Sequence, residues 1–201
     1  MGYYIRVLGL KAEQPSLGLL RQKLKAVGIQ STLKLEAGTE EEWQQVVVAH
    51  PAGTEIAIVE YNPVVEGELG HDELMEFIAE VQHYRPDTAS RWLKNYLSAI
   101  KAIYALQLLS GTDEDDGWRA VHEIQSSIWN HSGGILQSDG EGFTNEDGHC
   151  ILWQFSDGAS GTWNMAVLNG TNWTAFEMNL GDPLQRREFQ EGKIPATARL
   201  L

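Results

Sequence analysis

Apolar positions along this chain fall into short runs whose period changes from two to near four and back. Tyr3-Tyr4-Ile5-Arg6-Val7-Leu8 is aromatic and β-branched, and predicts a first strand. Leu17, Leu20, Leu24 and Val27 recur at helical spacing, with Ser16 placed to cap and Gly28 to stop a helix over residues 16–27. Residues 31–35 predict a second strand. Thr39-Glu40-Glu41-Glu42 has the spacing of a capping box, but Val46-Val47-Val48 soon returns the chain to an extended form. Residues 55–61 alternate and end at Asn62-Pro63, which predicts another strand. The first part is therefore β-α-β-β-β, an antiparallel or mixed sheet with one helix.

The middle predicts about three helices. In residues 72–84, Leu74, Phe77, Ile78, Val81 and Tyr84 share one face. Residues 89–109 read as one long buried helix, in which Arg91, Lys94, Ser98 and Lys101 form a narrow polar stripe. The stripe is placed to pair with the acidic helix before it. A third helix covers residues 117–131 and ends at Gly133-Gly134.

The last part predicts an antiparallel β-meander. Trp153, Trp163 and Trp173 stand ten residues apart, on strands over 150–155, 162–168 and 173–180. Alternation sends Trp153 and Trp163 to the core. Phe176, Met178 and Leu180 share a face, which leaves Trp173 on the opposite, more exposed side. Asp182, Pro183 and Gly192 punctuate a short terminal helix docked by Leu184 and Phe189. The fold class is α+β, taken as a single domain over 1–201 with a possible division into 1–65 and 66–201.

Composition supports a folded chain. Of 201 residues, 42% are apolar, enough for a core that buries about 70% of the unfolded surface. One cysteine, Cys150, allows no internal disulfide, which fits a reducing compartment and a cytoplasmic location. No apolar run approaches the length of a membrane span.

Charge adds more. The net charge is −13, and it is segregated: twelve carboxylates and no lysine or arginine lie between Leu35 and Tyr84, and eight and none between Ala120 and Gln185. Residues 1–34 carry six bases and one acid, Glu13. Such a chain repels nucleic acid and anionic membrane, and attracts basic proteins or cations.

The densest chemistry lies between Ser138 and Cys150, where Asp139, Glu141, Glu146, Asp147 and His149 are interleaved with three glycines. The order of residues does not fit an EF-hand loop, because Phe143 and Cys150 fall where ligands are needed. A hairpin turn, with residues 135–137 paired to 150–152, accounts for the glycines and acids. Two Glu-x-x-His matches, at Glu80–His83 and Glu146–His149, lie on a solvent-facing helix side and in a turn, unlike a di-iron site. Acids upstream of Cys150 work against a reactive thiolate. Asp113, Asp115 and Asp116 form a second acidic run at a helix start. No catalytic residues and no cofactor or metal are expected. The sequence reading is an immunity- or inhibitor-like interaction protein that binds a basic partner through these acids and Trp173. The alternative is an enzyme or small-ligand protein with a site at residues 139–149.

Overall fold

The computed structural model describes residues 2–201. The chain runs β1 (Tyr4–Gly9), α1 (Leu17–Ala26), β2 (Thr32–Gly38), β3 (Trp43–Ala49), β4 (Glu55–Pro63), α2 (Leu69–Glu80) and α3 (Asp87–Leu97). It continues as β5 (Ala102–Leu108), α4 (Gly117–Ser132), β6 (Ile135–Ser138) and β7 (Gly142–Thr144), then β8 (Thr162–Asn169), β9 (Asn172–Asn179), α5 (Pro183–Gln190) and β10 (Arg199–Leu200). This is the expected α+β class. Two compact units are formed, each from two stretches of chain. The first holds the residues up to Asp72 with Ile100–Ile135, and the second holds Glu73–Ala99 with Leu136–Leu201.

In the first unit the strands lie in the order β2-β3-β4-β5-β1, and every neighbouring pair is antiparallel. The β-α-β-β-β start is as expected, with antiparallel pairing throughout in place of a mixed sheet. Thr39 does act as a cap, but of a tight turn: its Oγ1 accepts from the Glu42 N–H at 3.0 Å. Gly38 in this turn has φ +93, and a Cβ there would lie 2.3 Å from the Glu42 carbonyl, so only glycine fits. Helix α1 is capped by Ser16, whose hydroxyl accepts from the Leu19 N–H, and it buries Leu17, Leu20 and Leu24. Helix α4 buries Ala120, Val121, Ile124 and Ile128 and packs on β1, β4 and β5. Each buried leucine, isoleucine or valine among these contributes about 1.5–3 kcal/mol.

The long helix expected over 89–109 is two elements. Helix α3 ends at Leu97, and β5 takes the remainder as the strand between β4 and β1. Residues Ala102 to Leu106 are all buried. A strand covered on both faces does not alternate, so apolar content alone cannot separate it from a buried helix. The basic stripe therefore breaks up. Lys101 leaves the helix, and the Arg91 Nε donates to the Asp87 carbonyl at 3.3 Å.

In the second unit β6 pairs with β7, Gln137 facing Phe143, and not with residues 150–152 as expected. Nor is 150–155 a strand. It makes only single bridges, Thr144 with Cys150, Cys150 with Met165 and Arg85 with Trp153. Its N–H groups are satisfied by scattered partners: Asn164 for Cys150, Phe143 for Ile151, Arg85 for Trp153. A buried segment needs its backbone paired, but one continuous ladder is not the only way to do so.

Strands β8 and β9 form the expected hairpin, with Asn169 facing Asn172 across Gly170-Thr171. The unforeseen β10 adds to β9. Trp153, Phe155, Met165, Val167, Phe176, Met178, Leu180 and Phe189 form one core. Helix α5 begins as expected, with Asp182 accepting from the Leu184 and Gln185 N–H groups. Leu184 does not dock it, being 45% exposed. Gln185 does this instead, its Oε1 accepting from the Asn179 N–H at 2.8 Å and its Nε2 donating to Thr197 at 2.9 Å.

Candidate functional site

In the first unit the link from β1 to α1 crosses the sheet and is pinned by aromatic side chains. The Trp43 indole donates to the Pro15 carbonyl at 2.8 Å, and the Tyr61 hydroxyl to that of Ala12 at 2.7 Å. Tyr61 on β4 and Tyr104 on β5 are directly paired in register, with rings 5.2 Å apart, and Trp43 sits 6.0–6.3 Å from both. Burial first, and then the Glu13 carboxylate, hold the Tyr61 phenol above its ordinary range. It stays a neutral donor.

Beside this scaffold lies a cleft of about 960 Å³. Glu13, Glu41, Glu42, Glu60 and Glu68 line it, and no lysine or arginine does. None of the five is in an ion pair among the described residues. Glu60 alone has a side-chain partner, accepting from Gln45 at 3.0 Å. Exposed Val65 and Leu69, with Pro63, are part of its apolar lining. Two of the amino-terminal bases are taken by acids outside the cleft lining: Arg21 binds Glu40 through both guanidinium amino groups, and Lys34 binds Glu36. The cleft keeps its negative charge.

In the second unit the acidic segment singled out from sequence is two successive turns. Asp139, Gly140 and Glu141 join β6 to β7, with both acids half-buried. Asn145 is buried and its Oδ1 accepts from the N–H groups of Asp147 and His149 at 3.2 and 2.9 Å. Glu146 and Asp147, at the tip of this turn, are exposed. Asp139, Glu141 and His149 are not among the residues that line the hollow beside this turn. The hollow beside this turn, about 370 Å³, is lined by Thr144, Gly148, Cys150, Trp163, Asn164 and Glu177 with Thr162. Cys150 is buried, with its thiol pushed up to about 12, by burial first and then by Glu141, against an opposing hydrogen bond at Leu152.

Glu146 has a different neighbour, the Tyr96 hydroxyl, which donates to its Oε1. Tyr96 stacks on Trp92 at 4.7 Å and 26°, and Trp92 meets Trp173 edge-on at 5.1 Å and 86°. The three rings are half-buried, so Trp173 is partly exposed as its place on β9 implied. Glu146 and Trp173, far apart in sequence, thus meet through two residues of α3.

Asp113, Asp115 and Asp116 belong to the first unit and do not line its cleft. All three are exposed, and Asp116 pairs with Arg119. Among the described residues no cluster of histidine, cysteine or carboxylate side chains is arranged to hold a metal ion. The cleft acids were not among the residues singled out from sequence. The stretch from Leu35 to Tyr84, twelve acids without a base, was the signal that contained most of them. Glu13, inside the basic start, gave none. No protein-family model, curated protein or solved structure matches this chain.

Proposed function

We propose that the protein is a non-catalytic interaction module whose acidic cleft receives a basic segment of another protein. The observation that carries this is the cleft's five carboxylates, with no lysine or arginine in its lining among the described residues. Uncompensated charge in a concavity focuses the field and raises association rates. The apolar part of the lining suits the stems of lysine and arginine, which lie along apolar surface while their heads reach carboxylates. A small cation would gain nothing from Val65, Leu69 and Pro63.

The test is calorimetric titration with a short peptide of alternating lysine and leucine. Wild type is compared with Glu41→Gln/Glu42→Gln/Glu68→Gln and with the control Asp113→Asn/Asp115→Asn/Asp147→Asn, which removes equal charge outside the cleft. The cleft variant is expected to bind about tenfold more weakly and the control within about twofold, with wild-type affinity falling as salt rises. Equal losses in the two variants would reduce the effect to net charge and overturn the proposal.

A further inference from the structure

We infer that the Trp92–Tyr96–Trp173 patch with Glu146 is a second contact, which takes an arginine side chain presented by a basic protein. The inference rests on the basic-partner reading but concerns different residues.

Three large rings drawn from α3 and β9 converge while each keeps part of its surface in solvent. Tryptophan and tyrosine in such positions carry much of the energy at protein interfaces. The rings touch one another, so no cage exists between them for a methylated ammonium. What they offer is their outer faces.

Beside those faces stands one carboxylate. Glu146 Oε1 is taken by the Tyr96 hydroxyl, and its other oxygen has no partner among the described residues. Tyr96 is partly buried and its phenol is held well above its ordinary range, by burial first and then by Glu146. It therefore remains the donor to Glu146. Asp147 follows, also exposed.

A guanidinium can satisfy both features at once. It lies flat on a ring face while its in-plane N–H groups reach a carboxylate. An ammonium has no flat face and keeps more of its water. The bases on α3 do not fill the place: Trp92 and Tyr96 are four apart and share a stripe, whereas Lys94 lies two from each and points elsewhere. Arg91 is tied to the Asp87 carbonyl.

The experiment is a nitrogen–proton NMR titration of the full chain with N-acetyl-Gly-Arg-Gly-amide, and in parallel with its lysine counterpart. The arginine peptide is expected to shift the indole signals of Trp92 and Trp173 and the Glu146 amide. Its affinity should exceed that of the lysine peptide several-fold. Glu146→Gln should remove most of that preference while the indole signals keep their unbound positions, which shows the patch intact. Indole signals that stay still, or that respond equally to both peptides, overturn the inference. If at the same time the amides of Glu41 and Glu42 shift, the cleft reading stands without it. Indole shifts with a silent cleft would support the patch and count against the cleft.

Discussion

The cleft of the first unit and the ring patch of the second use the same residue types in opposite ways. In the cleft, aromatic side chains hold the frame: Trp43 is fully buried, and both it and Tyr61 spend their polar hydrogens on the 12–15 link. The acids are left facing solvent. In the patch the rings face solvent, and the acid is held by a tyrosine. A charged hollow acts at long range and is screened by salt, whereas a ring surface acts only on contact. The first suits capture of a partner and the second suits retention.

The sharpest way to break this contrast is to remove one tryptophan from each place. Trp43→Ala should cost about 3–5 kcal/mol, as expected for a large buried ring. Trp173→Ala should cost about 1 kcal/mol, because its ring is only half-covered. Urea unfolding of both variants decides it. Equal losses would make Trp173 part of the frame and end its claim as a contact.

The next effect concerns the turn that carries Glu146. It is anchored next to Cys150, whose thiol is raised from 9.0 to about 12. The folded state therefore keeps its proton where the unfolded chain gives it up. Stability from this group is intact below pH about 9 and falls by about 1.4 kcal/mol per pH unit as pH rises from 9 towards 12. Cys150→Ala lacks that slope. The difference in unfolding free energy between the two proteins should be flat from neutral pH to 9 and then narrow in the variant's favour. A thiol titrating near 9 in the folded protein would show a loosely held turn, and so a poorly placed Glu146.

Association kinetics sharpen the comparison further. With the lysine–leucine peptide at low salt, the cleft variant Glu41→Gln/Glu42→Gln/Glu68→Gln should associate about tenfold more slowly, with little change in dissociation. Trp173→Ala should leave that association rate alone. With the arginine peptide it should speed dissociation several-fold. Stopped-flow fluorescence separates the two rates, and a reversed assignment would invert the roles given to the two regions.

The sequence made these regions unequally legible. Elements with local punctuation were readable: Ser16 and Gly28 around α1, Asp182 and Pro183 before α5, and the β8–β9 hairpin. Long-range cover erased the rest. Strand β5 lost its alternation because both faces are buried, and residues 150–155 looked like a strand because they are apolar, though their backbone partners are dispersed. Leu184 was mistaken for an anchor because apolar identity is only a weak guide to burial at a helix start. The cleft was half-readable. Its charge was plain in the stretch from Leu35 to Tyr84, but its concavity depends on how the 12–15 link crosses β3 and β4. The patch was readable at both ends, where alternation exposed Trp173 and the acidic turn offered Glu146. Its partner Tyr96 lay in a segment read as part of a longer buried helix.

The smallest effect tests the division most directly, because it removes one oxygen atom from each region. Tyr96→Phe loses the hydrogen bond to Glu146, and Tyr61→Phe loses the one to the Ala12 carbonyl. Each bond has a net value of about 0.5–1.5 kcal/mol. At Tyr96 the freed carboxylate is exposed and water replaces the hydroxyl, so stability should barely change. The carboxylate is no longer aimed, and arginine-peptide affinity should drop a few-fold while the ring stack persists. At Tyr61 the lost bond is one of those that pin the 12–15 link, and Glu13 moves with that link. Stability should fall by about 1 kcal/mol, and binding of the arginine peptide should not change. Unfolding curves and peptide titrations on these two variants give four readings. If Tyr96→Phe behaves like Tyr61→Phe, destabilising the fold without touching peptide binding, then the hydroxyl at Tyr96 is one more strut and Glu146 has no directed role.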